Sequence, residues 1–197
     1  MMSKLNITPN RFLMTSPVVL LSCWGRESKP NIITLAWTGI LCSDPPIVYA
    51  SIRPSRHSHT LLKQNGDFVL NLPSADQARE VDLCGVVSGR KEDKFALCGF
   101  TAEPAEKVDA PLIVECPVNL ECRTRDVLHL GAHDAFVADV IGLLVDEDKV
   151  TGADRVDDNL FAPLVYATGP RHYHSTERIE GAHYGFSKSS KPPWEKG

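Results

Sequence analysis

The sequence of 197 residues contains no run of about 18 apolar residues, so we expect no membrane-spanning helix. It also lacks an excess of basic residues, because 21 Lys and Arg stand against 25 Asp and Glu, for a net charge of −4. A general nucleic-acid binder usually carries a basic stripe, so that class is not favoured. Residues 1–12 contain neither an apolar stretch nor a small-residue cleavage site, so the cytoplasm is the expected compartment.

Paired cysteine motifs are absent as well. No two of the six cysteines are spaced as C-x-x-C, which leaves a zinc site or a redox pair without support. Scattered cysteines in a cytosolic chain are usually buried free thiols. A G-x-G-x-x-G motif at the start of a helix is also missing, so the sequence does not predict a Rossmann dinucleotide site.

The apolar pattern predicts strands interrupted by a few short helices. Apolar, β-branched runs bounded by Gly, Pro and Asp turns predict strands at 17–24, 31–39, 47–53, 67–73, 110–117, 118–125 and 134–146. Helical spacing occurs at 58–65, 74–84 and 93–98. A parallel sheet would need regular alternation of strands and helices, so we expect a mostly antiparallel α+β barrel. Residues 1–197 are expected to form one domain, with a C-terminal segment at about 175–197.

Single residues predict how some of these elements begin and end. Ser58 and Ser74 are candidate helix N-caps, and Gly66 is positioned to end the first helix. Gly142, inside a long apolar strand, predicts a β-bulge.

A polar loop follows the third predicted strand. Its donors are concentrated where a strand meets a helix N-terminus: Ser51, Arg53, Arg56, His57 and Ser58. Arginine offers a planar fork to an anion, hydroxyls add neutral donors, and free N–H groups at a helix start point at the anion. The loop therefore predicts a phosphate site, with a solvated basic turn as the alternative.

A tryptophan stands in the strand before this loop. Trp37 is interpreted either as a core residue or as the wall of a flat aromatic ligand. With Thr38 and Gly39 after it, the backbone can approach the ligand closely. Asn71 offers an amide at the end of a later strand, where a structural turn residue is the alternative.

Six segments in order resemble a known family. They are Asn31–Gly39, Ser43–Pro46, Ser51–Pro54, Phe68–Pro73, Gly89–Phe95 and Gly131–Asp134. Together they are similar to the flavin-reductase-like FMN-binding split barrels, particularly the flavoredoxin branch. The resemblance covers roughly residues 17–173. It implies a homodimer of predominantly β, Greek-key split barrels with short flanking helices and one FMN in each subunit.

The resemblance also implies roles for individual residues. Ala36, Trp37 and Thr38 would lie along the isoalloxazine ring. The ribityl phosphate would be held by Ser51, Arg53, Arg56, His57 and Ser58. Asn71 and Lys94 would close the site.

The resemblance implies oxidoreductase chemistry, with the flavin doing the redox step. The protein would take a hydride from NADH or NADPH onto FMN, or pass electrons through FMN to a partner protein. His133 would position the nicotinamide or transfer a proton, with an ordinary loop histidine as the alternative. A non-catalytic flavin-binding or flavin-storage module is the alternative function.

Histidines crowd the C-terminal segment at His172, His174 and His183. A pair such as His172 and His174 on one strand face can bind a metal, so a Cys/His metalloprotein is a third hypothesis. No carboxylate or thiol stands at a matching local spacing, and the prediction names no metal ligand. By analogy with the family, this segment would cover the flavin of the partner subunit.

Overall fold

The computed structural model describes residues 4–10, 12–13, 15–25, 29–151, 156–157, 161–177 and 179. The strands are β1 (Ser16–Pro17), β2 (Val19–Cys23), β3 (Asn31–Leu35), β4 (Thr38–Ser43), β5 (Pro46–Ile52), β6 (Asp67–Leu72), β7 (Ala102–Pro104), β8 (Pro111–Ile113), β9 (Val118–His129), β10 (Asp134–Val145), β11 (Leu164–Ala167) and β12 (His172–Ser175). The helices are α1 (His57–Asn65), α2 (Ala78–Val86) and α3 (Lys94–Cys98). The predicted class, mostly β with short flanking helices, is confirmed.

Seven antiparallel strands form the main sheet, in the spatial order β3-β2-β6-β9-β10-β5-β4. This sheet curls into a half-barrel. Its two edge strands, β3 and β4, are consecutive in the chain, so Ala36 and Trp37 carry the backbone from one edge to the other. Two small sheets, β1-β11-β12 and β7-β8, accompany the main one.

The crossing at Trp37 corrects one sequence prediction. The apolar run at 31–39 predicts a single strand, but the structure bends at residues 36–37 and a new strand begins at Thr38. The Trp37 carbonyl accepts a hydrogen bond from the Ser51 backbone N–H at 2.9 Å. That bond directs the chain to β5, which lies near the opposite edge of the sheet from β2.

Both faces of strand β2 are covered, which explains its uninterrupted apolar run. Leu21 packs with Phe68 and Phe136 inside the curled sheet, whereas Leu20 packs with Val81 of α2 on the other face. An antiparallel strand with one face in water would alternate apolar and polar residues. The helices therefore form a second layer against this part of the sheet.

Helix α1 starts differently from the prediction. Arg56 is its N-cap and makes no side-chain capping bond. Ser58 lies in the first turn, and its hydroxyl accepts a hydrogen bond from Asn31 Nδ2 at 2.7 Å, so its prediction as the cap is wrong. The predicted end is confirmed, because Gly66 adopts a φ of 84° and donates its N–H to the Leu62 carbonyl.

The other local predictions meet mixed outcomes. Ser74 forms a capping box with Gln77, but the α-helix begins only at Ala78, after a 3-10 turn at Ala75–Gln77. The bulge at Gly142 is confirmed by a shift of register between β9 and β10. A Cβ at residue 142 would lie 1.8 Å from Glu121 Oε2, so the buried carboxylate requires glycine there.

All six cysteines are free thiols, and four of them are buried. No helix among the described residues is long and apolar enough to cross a membrane.

The side chain of Asn71 on β6 makes several hydrogen bonds in the protein interior. Its Nδ2 donates to the Leu20 carbonyl at 2.7 Å and to Ser22 Oγ at 2.8 Å. Its Oδ1 accepts from the Ile113 N–H at 3.0 Å and from Asn119 Nδ2 at 2.8 Å. The side chain is fully buried, so it connects strands β2, β6, β8 and β9 without water.

We expect Asn71→Ala to lower the free energy of unfolding by about 2–5 kcal/mol, because it leaves several buried donors and acceptors unpaired at about 1–3 kcal/mol each. Urea denaturation measures this loss. Asn65→Ala is the matched control, since Asn65 donates to the Asp109 carbonyl at an exposed position. We expect it to lose less than about 1 kcal/mol. Equal losses for the two variants would contradict the structural role of Asn71.

Candidate functional site

Two adjoining cavities lie between the main sheet and the helices. The first has a volume of about 580 Å³ and the second of about 490 Å³. They share four lining residues, Ile33, Arg53, Arg56 and Gly85. Both volumes lie in the usual range for small-molecule sites.

The first cavity collects two of the three predicted ring-binding residues, Ala36 and Trp37, together with the predicted catalytic His133. Its sheet side is lined by Ala36, Trp37, Ser51, Arg53 and His133. The rings of Trp37 and His133 are parallel within 3°, with centroids 6.4 Å apart. Burial, and then the charge of Arg53, lower the pKa of His133. The imidazole is therefore neutral at pH 7.

The second cavity collects four of the five predicted phosphate residues, whereas Ser51 lines only the first cavity. Its walls contain predicted residues from two parts of the chain: Arg53, Arg56, His57 and Ser58, and then Lys94. The first turn of α1 supplies His57 and Ser58, and N–H groups at a helix start have no partner within the helix. Such N–H groups and the helix dipole favour an anion.

Lys94 supplies a buried positive charge to the second cavity. It is 4% exposed, and its Nζ donates to the carbonyls of Ile32 and Cys84, both at 2.7 Å. An ammonium group has three N–H donors, so one is left for a ligand. Burial lowers the pKa of Lys94, because the charged form loses its hydration. A bound anion would compensate for that loss.

Two residues that line the second cavity each hold a buried polar atom without a hydrogen-bond partner among the described residues. These atoms are Asn31 Oδ1 and His57 Nδ1. Buried polar atoms are usually hydrogen-bonded, so this pair indicates a polar ligand. Gly89 completes the wall, since a Cβ there would lie 1.7 Å from Asn31 Oδ1. Only glycine allows the backbone to approach Asn31 so closely.

Arg90 connects the walls of the second cavity. Its guanidinium donates to the Ser55 carbonyl at 3.0 Å and to Thr60 Oγ1 at 3.4 Å. The loop after α2 is thereby attached to α1 and to the loop of residues 53–56, which we call the arginine loop. Sequence reasoning did not name Arg90 as a site residue, although it lies within the family-like segment Gly89–Phe95.

Thr38 and Asn71 do not reach either cavity. Thr38 Oγ1 donates to the Tyr49 carbonyl at 2.5 Å, within the β4–β5 pair. The amide of Asn71 is used by the interior contacts described above. Neither residue is among those that line the two cavities. The sequence could not indicate this, because both side chains are used inside the sheet.

Asp134, next to His133, links the site to α1. It is 6% exposed, and its carboxylate accepts hydrogen bonds from His59 Nε2 at 2.7 Å and from His129 Nδ1 at 2.8 Å. These bonds lower the pKa of Asp134. His59 belongs to the same helix that presents His57 to the second cavity. One carboxylate thus fixes the start of β10 relative to that helix.

Strands β11 and β12 form a C-terminal hairpin, and this hairpin forms the outer wall of the first cavity. Tyr166, Arg171 and Tyr173 line it, together with Asp82 and Val86 of α2. These residues line a cavity of their own chain, and the coverage of a partner subunit's flavin by this segment stays a prediction. These residues had no local signal in the sequence, whereas Asn31, also not predicted for the site, lies within the family-like segment Asn31–Gly39.

The predicted histidine cluster is only partly described. His172 and His174 are exposed on β12 with ring centroids 6.4 Å apart, and His183 lies outside the described residues. Within the described part of the chain, no group of three or more His, Cys, Asp or Glu side chains is arranged to hold a metal ion.

Comparison with known proteins identifies related chains. The model of the family described as "Flavin reductase like domain" matches residues 11–177. The structure is similar to that of flavoredoxin of Desulfovibrio vulgaris (Miyazaki F), with a TM-score of 0.87 and 30% identity over 95% of this chain and 100% of that one. These matches cover nearly the whole described fold.

Sequence relatives match over shorter stretches. An uncharacterised protein of Archaeoglobus fulgidus is 35% identical over 57% of this chain and 64% of its own length, just under two thirds. The NADH:riboflavin 5'-phosphate oxidoreductase of Streptomyces pristinaespiralis is 26% identical over 61% of this chain and 66% of its own length.

Proposed function

The chain belongs to the flavin reductase-like family, in its flavoredoxin branch, and from that premise we propose that it binds FMN and exchanges electrons with a nicotinamide donor or a protein partner. A flavin-related oxidoreductase is the activity that the family implies. The second cavity carries the finer proposal, because it combines buried positive charge with unsatisfied polar atoms.

The residues of the two cavities fit FMN. A phosphate dianion matches the first turn of α1, the guanidinium groups of Arg53 and Arg56, and the spare donor of Lys94. Ribityl hydroxyl groups can donate to Asn31 Oδ1 and exchange hydrogen bonds with His57 Nδ1, the two atoms left without partners. The planar ring system then extends into the first cavity, where Trp37 and His133 provide flat surfaces.

Bound FMN supplies the two-electron chemistry, since its ring accepts a hydride. The protein contributes binding and orientation. Arg53 borders both cavities, so its charge acts on the phosphate and on the ring end of the site. Neutral His133 accepts or donates a hydrogen bond at the ring end, where it positions a nicotinamide or transfers a proton.

We expect Arg56→Ala to weaken FMN binding by roughly tenfold to a hundredfold, because it removes a charge-assisted hydrogen bond to the phosphate. Riboflavin lacks the phosphate, so its affinity should change little. Fluorescence titration with both ligands measures the difference. Arg125→Ala is the control, since Arg125 pairs with Asp139 at an exposed position and lines neither cavity. Equal weakening of FMN and riboflavin would contradict a phosphate role for this loop.

We expect NADH or NADPH to bleach bound FMN in a stopped-flow experiment, and His133→Ala to slow the bleaching by at least about tenfold, in line with general acid–base contributions. Since burial and Arg53 lower the pKa of His133, its imidazole stays neutral above pH 6.5 and is protonated only below that value. The contribution of His133 should therefore be constant from pH 8 to pH 6.5 and change at lower pH.

Two results would redirect this proposal. An unchanged rate in His133→Ala would remove the catalytic role of that residue. Tight FMN binding with no bleaching by either nucleotide would favour an electron carrier or a flavin-storage module instead.

We also propose that the chain forms a homodimer. Large apolar side chains on edge strand β4 and at the β9–β10 turn are exposed: Ile40 at 79%, Leu41 at 54%, Leu128 at 45% and Leu130 at 64%. Exposed apolar side chains on a sheet edge favour protein contacts. Sedimentation equilibrium should give a mass of twice 21.7 kDa, and Ile40→Lys should shift it toward the monomer. A purely monomeric wild type would contradict this proposal.

A further inference from the structure

The outer wall of the first cavity is not used by the FMN proposal. Asp82 and Val86 of α2 form one half of it, and Tyr166, Arg171 and Tyr173 of the C-terminal hairpin form the other. None of the five lines the second cavity, where the phosphate would bind. This wall therefore faces the ring end of the site.

The two tyrosines form a fixed aromatic surface. Their ring centroids are 5.2 Å apart at an angle of 55°. Tyr173 donates its hydroxyl proton to Asp82 Oδ1 at 3.2 Å, which attaches the hairpin to α2. Burial and the Asp82 charge raise the pKa of Tyr173, so the phenol stays protonated. Asp82, the only carboxylate that the described residues contribute to this wall, is thus already engaged.

Arg171 holds an unusual backbone conformation beside this surface. It is the only described residue other than glycine with a positive φ, at 62°, and its N–H donates to the Ala167 carbonyl at 2.8 Å. Glycine adopts this conformation freely, whereas a larger residue is strained there. The Arg171 guanidinium makes no hydrogen bond or ion pair with another described residue. An exposed positive charge therefore stands at a position better suited to glycine.

The charges that line the first cavity favour binding of an anion at its outer wall. Three guanidinium groups line it, from Arg53, Arg56 and Arg171, against the single carboxylate of Asp82. Arg53 and Arg56 are shared with the second cavity, so a phosphate bound there would partly neutralise them. Arg171 has no counter-charge among the described residues, and a guanidinium group binds a carboxylate through two parallel hydrogen bonds.

We propose that this outer wall binds a second, planar ligand: an aromatic carboxylate whose ring lies against Tyr166 and Tyr173 and whose carboxylate pairs with Arg171. The proposal rests on the proposed function, because bound FMN forms the opposite side of the site. It identifies a class of small molecule that binds beside the flavin, and Arg171 as the residue that selects it.

Benzoate and benzamide test the proposal, because they share a ring and a similar shape and differ in charge. Each is titrated into the FMN-loaded protein while the visible absorbance of the flavin is recorded. We expect saturable spectral changes with benzoate at concentrations at least tenfold lower than with benzamide. In Arg171→Gly, benzoate affinity should fall by roughly tenfold to a hundredfold and benzamide affinity should not change.

The variants are chosen to separate charge from folding. Glycine suits a φ of 62°, so thermal unfolding of Arg171→Gly should match or exceed that of the wild type. Arg125→Ala removes one positive charge outside both cavities and should bind benzoate like the wild type.

Several outcomes would overturn the proposal. If FMN binds but neither probe perturbs its spectrum, the second site is wrong and the proposed function stands. If Arg171→Gly weakens FMN and leaves benzoate unchanged, Arg171 serves the flavin itself. If benzoate competes with FMN, the two share one site. A protein that binds no FMN would overturn both this inference and the proposed function.

Discussion

Closure of the main sheet is the constraint on which the rest of the structure depends. β3 and β4 follow one another in the chain but occupy opposite edges of a seven-stranded sheet, so the sheet has to curl until its edges approach. The hydrogen bond from the Ser51 N–H to the Trp37 carbonyl fixes this crossing. Because the crossing forms a cavity wall, Trp37 and Ser51 line the candidate site and also hold the curled half-barrel together.

Burial of the Lys94 ammonium group in the wall of the second cavity costs free energy, and binding of an anion there would offset that cost. Removing an ammonium group from water is unfavourable unless hydrogen bonds replace the hydration. The Ile32 and Cys84 carbonyls provide two such bonds to Lys94. A carbonyl carries only a partial charge, so an anion is a better partner for the remaining donor. The same reasoning applies to Asn31, which lines this cavity and whose buried amide oxygen has no partner among the described residues.

The sequence predicted those parts of the site that are local in the chain. The arginine loop could be identified because a strand, a basic turn and a helix start are consecutive there. Arg171 could not, since it reaches the cavity only through pairing of the last two strands. Asn71 was assigned to the ligand because its strand position does not reveal which face its amide serves. Ser58 fits the rules for a helix cap, but a tertiary hydrogen bond from Asn31 takes its hydroxyl.

The two cavities are assembled from distant parts of the chain, and this affects how long the protein resists degradation. Asn31, Arg56, Lys94 and His133 come together only after strands far apart in sequence have paired, and such pairing is slow. In a nascent or partly opened chain the two cavities are therefore incomplete. A ligand that binds only the finished fold stabilises it by mass action. Cofactor supply would then set how long each molecule survives proteolysis as well as whether it is active.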